Sequence, residues 1–229
     1  KILEILLIIE LMQRRNKIMR IALINENSQA NKNEIIFREL DNVATPLGHK
    51  VINIGMFNAE DKTLTYVQNG ILAAILINSK ACDFVVTGCG TGEGAMLALN
   101  SFPKVICGYV AEPSDALLFR EVNDGNAIAM PFAKGFGWGA ELNLRYCFEK
   151  LLSTKGGQGY PKERVIPEQR NKKILDKVKE SSYRNLVDIL KDIDQDLLLE
   201  AIDRPSFIET IKEYAEEGEL KDYVLSLVK

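Results

Sequence analysis

Histidine is almost missing from this sequence: His49 is the only one among 229 residues. That scarcity excludes a multi-histidine metal site, and it leaves a histidine-based triad resting on this one residue, which the turn signals around it argue against. Proton transfer near neutral pH must then fall to a perturbed Cys, Glu or Asp. His49 itself follows Pro46-Leu47-Gly48 and precedes the strand-like Val51-Ile52-Asn53-Ile54, the position of a turn residue. Cysteine is sparse as well. The four, Cys82, Cys89, Cys107 and Cys147, form no CxxC pair and show no zinc-ligand spacing. Three of them lie in or beside apolar runs, which reads as reduced, buried thiols in a cytoplasmic protein.

An excess of one charge is also lacking. The formal net charge is -3, with both signs mixed along the chain, so nothing favours a nucleic-acid partner. Lys172-Lys173 and Lys177 read as a solvated helix face. No apolar run is long enough for a membrane span, which needs about 20 residues. Ile2 to Met12 is apolar but interrupted by Glu4 and Glu10, and its basic residues, Arg14 and Arg15, follow it where a signal peptide would carry them in front. Met19 looks like a natural start, so residues 1–18 read as an upstream extension, able to pack on a partner subunit.

What is present is a βαβ rhythm. Candidate strands are Arg20–Asn25, Lys50–Ile54, Asp83–Thr87, Val105–Tyr109 and Ala127–Met130. Helical patterns separate them near Ala30–Ala44, Leu64–Ser79, Gly92–Ser101, Pro113–Val122 and Gly137–Leu152. This alternation predicts an α/β fold with a doubly wound, parallel five-stranded sheet, Rossmann-like or flavodoxin-like, over residues 19–154. Ligands bind such sheets beyond the carboxyl ends of the strands, which selects the loops Asn25–Gln29, Thr87–Gly94 and Tyr109–Pro113. After Thr154, a glycine-rich connection leads into helical patterns at Asn171–Leu190, Asp196–Ile202, Pro205–Glu217 and Leu220–Val228. Residues 155–229 thus read as a linker and a helical C-terminal appendage. Gly135-Phe136-Gly137-Trp138-Gly139 reads as a turn with a packing Trp138.

Chemistry concentrates in Gly88-Cys89-Gly90-Thr91-Gly92-Glu93-Gly94, between the third strand and its helix. Glycines let the backbone approach a ligand, and a helix start offers unpaired N–H groups with the positive end of the helix dipole. Such a loop holds a phosphate or carboxylate, or stabilises an oxyanion formed during reaction. No Lys-Ser/Thr follows the last glycine, so it is no Walker loop, and Glu93 in the loop argues against a dinucleotide. A thiol at a helix N-terminus is a usable base or nucleophile. Glu93, four residues on, is a second proton acceptor, or simply a favourable first-turn carboxylate.

Cys89-Gly90-Thr91-Gly92-x-Gly94, followed by Asn123-Asp124-x-Asn126, resembles the ribose-5-phosphate isomerase B / galactose-6-phosphate isomerase (RpiB/LacA/LacB) family. The likeness runs from Met19 to Arg164 and includes Gly48-His49-x-Val51 before the second strand. It implies an aldose–ketose isomerase, an intramolecular oxidoreductase of carbohydrate metabolism, working through a cis-enediolate with no metal and no cofactor. The resemblance makes Cys89 the group that moves a proton between C1 and C2. A family branch with serine at that position uses the glutamate at the Glu93 position, so the identity of the base stays open. Backbone amides of Gly90, Gly92 and Gly94 would hold the enediolate oxygen, helped by Asn123, with Asn126 in the same motif. Thr91 matches a ring-opening threonine and Tyr66 a substrate-contacting tyrosine. Relatives are dimers or tetramers with shared sites, which implies a homodimer or homotetramer.

The departures bear on substrate. Glu26-Asn27 stand where the family has Asp-His, Val122 replaces a ring-opening histidine, and Gln158 replaces a phosphate-gripping arginine, leaving Arg164 nearby. A phosphate dianion takes several charge-assisted bonds, whereas one bidentate arginine serves a carboxylate. Asn25-Glu26-Asn27-Ser28-Gln29 together with the Gly88–Gly92 run look like the branch that includes ketol-isomerases of unsaturated-uronate breakdown. The alternative substrate is therefore 4-deoxy-L-threo-5-hexosulose uronate, an open-chain, unphosphorylated keto acid. A non-catalytic, flavodoxin-like anion-binding module is the second alternative.

Overall fold

The computed structural model describes residues 18–228. Five strands form one parallel sheet in the order β2-β1-β3-β5-β4. They are β1 (Arg20–Asn25), β2 (Lys50–Gly55), β3 (Phe84–Cys89), β4 (Cys107–Tyr109) and β5 (Ala127–Pro131). The helices between them are α1 (Asn33–Ala44), α2 (Tyr66–Asn78), α3 (Glu93–Asn100) and α4 (Pro113–Leu118), with α5 (Ala140–Leu152) after β5. The doubly wound sheet expected from the strand rhythm is the one observed, with every pairing parallel. Its β3 and β5 run a residue or more further than their β-branched cores, so Cys89 is the last residue of a strand.

Alternation along the strands divides the core in two. Ile21, Leu23, Phe84, Val86, Ile128 and Met130 face α1 and α5 in one apolar cluster. Ala22, Ile24, Val85, Ala127 and Ala129 belong to the other, with α2 and α3. Helices α2 and α3 approach closely because Gly70 has no side chain; a Cβ there would stand 2.9 Å from the Ala98 carbonyl oxygen. Across the first cluster, the buried Glu39 of α1 bonds Arg145 of α5 at 2.7 Å. Burial alone would raise the Glu39 pKa, but hydrogen bonds and charge from Arg145 and Arg38 outweigh it and the net shift is downward.

The C-terminal segment forms α6 (Val165–Ser182), α7 (Leu186–Asp192), α8 (Gln195–Ile202), α9 (Pro205–Tyr214) and α10 (Glu219–Leu227). The single helical pattern over Asn171–Leu190 is in fact two helices. Tyr183 is extended, and Asn185 restarts the helix by accepting the Val187 amide on its side chain at 2.8 Å. Leu186, Leu190, Leu198, Ile202, Phe207 and Ile211 join the α2–α3 side of the core. Buried Arg204 reaches Asp61 at 3.0 Å and Ser206 donates to the Ile54 carbonyl at 2.9 Å, tying α9 to the exit of β2. By contrast α6 buries none of its 18 residues. Trp138 does not pack as expected: it is fully exposed, on a turn whose Gly135, Gly137 and Gly139 meet nothing nearby. Among the described residues no helix is long and apolar enough to cross a membrane. The extension read over 1–18 lies outside the described residues apart from Ile18.

His49 is buried at the entry to β2, and its Nδ1 accepts the Met19 amide at 3.1 Å. Burial, then the charge of Arg120, lowers its pKa against a smaller opposing pull from Asp83. The unfolded chain therefore takes up the proton more readily than the folded one. Stability is complete above the unfolded value of about 6.5 and declines as pH falls below it, levelling off beneath the folded value. His49→Asn retains an acceptor for Met19 but cannot titrate. Its urea midpoint is expected to fall less between about pH 7 and pH 5 than that of the wild type; equal declines would refute this role.

Candidate active site

Strand order reverses between β1 and β3: the chain leaves β1 toward β2 and leaves β3 toward the other edge. The crevice outside their carboxyl ends is the site such sheets offer a ligand, and the glycine loop lies there. Cys89 ends β3 and is 8% exposed. Its Sγ accepts the amide of Gly92, the N-cap of α3, at 3.2 Å. Gly92 has φ +82° and a Cβ there would meet the Met130 carbonyl carbon at 2.8 Å, so the loop turns where only glycine fits. Thr91 and Glu93 are exposed at the mouth of the loop. Tyr66, at the start of α2, lies against Gly94, where a Cβ would stand 3.4 Å from its ring.

Gly90 is different. A Cβ on it would find only Ala133 Cβ at 3.9 Å and Gln29 Nε2 at 4.0 Å, so a slot stands open above the loop. Its carbonyl accepts the amides of Ala133 and Lys134 at 3.0 and 2.9 Å, and the Cys89 carbonyl accepts that of Phe132 at 2.9 Å. A cavity of about 310 Å³ is lined by Tyr109, Met130, Lys134 and Phe136, at the exit of β5.

On the β1 side, Glu26 is buried and its carboxylate accepts the Ser28 amide at 3.0 Å and the Ser28 hydroxyl. Asn27 is exposed, with its amide on the Leu64 carbonyl at 2.7 Å. Beneath the loop, Asn69 of α2 donates to Thr87 Oγ1 at 3.0 Å, and Thr87 donates to the Ile24 carbonyl at 2.7 Å. Asn69 and Lys32 carry no expected role, and Gln29 enters only as the end of the Asn25–Gln29 loop. Asn69 had a signal, a polar side chain inside the apolar run Tyr66–Asn78, whereas Lys32 had none.

The remaining expected residues are elsewhere. Asn126 precedes β5, at the opposite end of the sheet from Cys89. Its Oδ1 accepts the Ile106 amide at 2.8 Å and its Nδ2 donates to the Lys104 carbonyl at 2.7 Å, so both functions brace the approach to β4. Asn123 is exposed at the same end, closing a π-type turn over Phe119–Asn123. The connection carrying Gln158 is pinned to that turn by Gly157 and Gly159 amides on the Arg120 and Glu121 carbonyls. Arg164, exposed in a short 3-10 turn, follows from there and is 3.9 Å from Glu168. Within one chain, then, Cys89, Gly90, Thr91, Gly92, Glu93, Gly94, Tyr66, Glu26 and Asn27 gather at one end, and Asn123, Asn126 and Arg164 at the other.

The other thiols are poor candidates for chemistry. Burial pushes Cys82 and Cys147 up to about 12 and raises Cys107 as well, so all three stay protonated near neutral pH.

Residues 21–158 match the family described as Ribose/Galactose Isomerase. Residues 181–227, spanning α7 to α10, match a second family described as Ribose-5-phosphate isomerase. The crystal structure of a 4-deoxy-L-threo-5-hexosulose-uronate ketol-isomerase complexed with tartrate is 57% identical, covers 92% of this chain and 99% of its own, and has a TM-score of 0.90. A ribose-5-phosphate isomerase from Vibrio parahaemolyticus is 51% identical over 93% of this chain and 100% of its own, with a TM-score of 0.91. The type B ribose 5-phosphate isomerase of Trypanosoma cruzi, 18% identical with a TM-score of 0.61 over 73% of this chain, shares the fold. No curated protein sequence matches the chain.

Two glycines of the loop are expected to respond oppositely to alanine. At Gly88 a Cβ would stand 2.3 Å from the Met130 carbonyl oxygen and 2.4 Å from the Phe132 ring. Gly88→Ala should therefore cost about 1–3 kcal/mol in urea unfolding. Gly90→Ala should leave the midpoint nearly unchanged while blocking the slot and lowering kcat/KM. Equal stability losses at the two positions would contradict this geometry.

Proposed function

Because the chain belongs to the ribose/galactose isomerase family, we propose that it is an aldose–ketose isomerase that shifts a proton between adjacent carbons through a cis-enediolate. The carrying observation is Cys89, held by the N-cap amide of α3 at the floor of a loop whose Gly90 leaves room for a substrate. In this reading Cys89 takes the proton from one carbon and returns it to the next. Glu93, at the mouth, exchanges protons with the substrate hydroxyls. Loop amides from Gly90 to Gly94 stabilise the enediolate oxygen, a charge that exists only once the proton has left. Thr91, Tyr66, Glu26 and Asn27 form the walls. No step in this reading calls for a metal.

For substrate we propose the open-chain keto acid 4-deoxy-L-threo-5-hexosulose uronate. Support comes from the ketol-isomerase relative and from Val122 and Gln158 standing where a ring-opening histidine and a phosphate-binding arginine are expected. An open-chain substrate needs no ring opening. Ribose 5-phosphate is the second reading, favoured by the Vibrio relative.

Asn123 and Arg164 lie at the far end of the same chain, so in this reading they serve a second copy, in a homodimer or homotetramer. The surface assigned to that contact is α6, which begins beside Arg164 and exposes Ile166, Ile174, Leu175 and Val178 without burying any residue. An isolated helix is marginal in water, and its stability comes from covering such a face.

Two assays test these points. Across a panel of phosphorylated aldoses, ketoses and the keto acid, the wild type should turn over the keto acid best. Cys89→Ser and Glu93→Gln should each lower kcat by about 100- to 10,000-fold. Efficient turnover of ribose 5-phosphate alone would overturn the substrate assignment, and full activity in Cys89→Ser would overturn the base. For the shared site, inactive Cys89→Ala and Arg164→Ala chains are unfolded together and refolded as a mixture. Recovered activity is expected, because a mixed pair holds one intact site; none would mean that each chain works alone.

A further inference from the structure

The segment after β1 carries a chain of hydrogen bonds whose direction is fixed at both ends. Lys32 Nζ donates to Gln29 Oε1 at 2.7 Å, Gln29 Nε2 donates to Ser28 Oγ at 3.0 Å, and Ser28 donates its hydroxyl to Glu26. An ammonium only donates and a carboxylate only accepts. With an ion of each kind at the two ends, the Gln29 amide cannot turn over without losing a bond at each side. Its nitrogen is therefore held toward the glycine loop, where it comes within 4.0 Å of the space a Gly90 Cβ would fill. An amide nitrogen carries two protons, and Ser28 uses one. The second has no acceptor among the described residues. Gln29 is 9% exposed, so this is a buried donor at the edge of an open slot.

Lys32 joins this chain of bonds to the exit of β5. It also bonds the Phe132 carbonyl and lies 4.4 Å from the centre of the Phe136 ring. Its contacts are neutral, and no ion pair among the described residues includes it. A half-buried cation without a counter-ion is expensive to hold. Here it clamps the β1 loop to the exit of β5, across the mouth of the slot, and burial lowers its pKa.

We propose that Gln29 is a substrate-contacting residue: its free amide proton donates to the substrate oxygen that becomes negative in the enediolate, and Lys32 is the positioning residue that holds that amide in place. This rests on the isomerase reading above and adds a side-chain donor to the loop amides. A donor aimed at developing charge acts mainly on kcat.

Gln29→Glu keeps the shape and the acceptor for Lys32 but replaces the donor by a negative oxygen. Its kcat on the wild-type substrate is expected to fall about 100-fold or more, with KM changed far less. Gln29→Met, uncharged, should fall nearly as far. Lys32→Met, which frees the amide to turn, should lose about tenfold, and Lys32→Arg, which still donates, should recover most of it. Melting temperatures of all four identify any loss caused by unfolding. Binding supplies a second measurement independent of turnover. D-glucarate, an open-chain sugar acid whose planar carboxylate resembles an enediolate, is titrated calorimetrically; Gln29→Glu should weaken it at least tenfold.

Wild-type kcat and wild-type glucarate affinity in Gln29→Glu would overturn the proposal, as would a Lys32→Arg variant no better than Lys32→Met. A wild type inactive on every sugar, with glucarate binding still lost in Gln29→Glu, sinks the isomerase reading and leaves Gln29 as a ligand contact. A wild type that neither turns over a sugar nor binds glucarate overturns both.

Discussion

Between β3 and β5 the backbone at Gly88 runs so near to Met130 and Phe132 that there is no room for even a methyl group. This approach sets the rest of the site. It lets the Cys89 and Gly90 carbonyls take up the amides of Phe132, Ala133 and Lys134, so the glycine loop and the exit of β5 move as one piece. The same exit segment presents the Phe132 carbonyl to Lys32. Lys32 in turn orders Gln29, Ser28 and Glu26 across the crevice. A missing side chain at one residue thus brings three loops to a common edge, which is what catalysis by positioning requires.

The floor of this site is polar where a core is usually apolar. Asn25, Asn69 and Thr87 are fully buried at the ends of β1, α2 and β3, and the Asn25 and Asn69 side-chain oxygens find no partner there. An unmet acceptor of this kind costs about 1–3 kcal/mol. An apolar residue of similar size would avoid that cost, so stability alone does not account for these amides. Asn69 and the Thr87 hydroxyl instead hold the Ile24 carbonyl, and Asn25 holds the Gln29 carbonyl, at the start of the loop that follows β1. Buried polar groups that rigidify the base of a site give up stability for precision.

Much of this was legible in the chain itself. Runs such as Phe84-Val85-Val86 read as buried strands because the sheet is covered on both faces, and the loop beginning at Gly88 announced a strand–helix junction. What escaped depends on distance through space. Nothing along the chain shows at which end of the sheet Asn123, Asn126 and Arg164 stand: α4 returns the chain to the other end before Asn123 is reached, so within one copy they lie apart from Cys89. Trp138 looked like a packing residue because tryptophan usually is one, but its neighbouring glycines offer nothing to pack on. The break at Tyr183 had a signal in Ser181-Ser182 and Asn185, residues that favour caps over helix interiors, but the helical apolar spacing continues across it. Gln29 showed only its place at the end of the Asn25–Gln29 loop, and Lys32 carried no signal at all. Their orientation follows from acceptors on Phe132 and Glu26, one of them a hundred residues away.

The two clusters also limit what one copy of the chain can do. The edge with Cys89 holds a thiol, a carboxylate and amide donors, enough to move a proton and to steady the charge that results. Among the described residues it holds only lysines for gripping a distant anionic group, Lys32 already committed to Gln29 and Lys134 exposed beside Gly90. Arg164, the planar cation suited to a carboxylate, stands at the other end, where its closest ionic neighbour is Glu168 at 3.9 Å. In the proposed isomerase, the groups for proton transfer and for anion recognition are therefore separated within the chain. A fold that built both for use in one copy would have no reason to leave α6, beginning next to Arg164, without a single buried residue. The exposed Ile174, Leu175 and Val178 make sense if the second cluster is delivered to another chain along that helix, so that covering α6 and completing the site are one event.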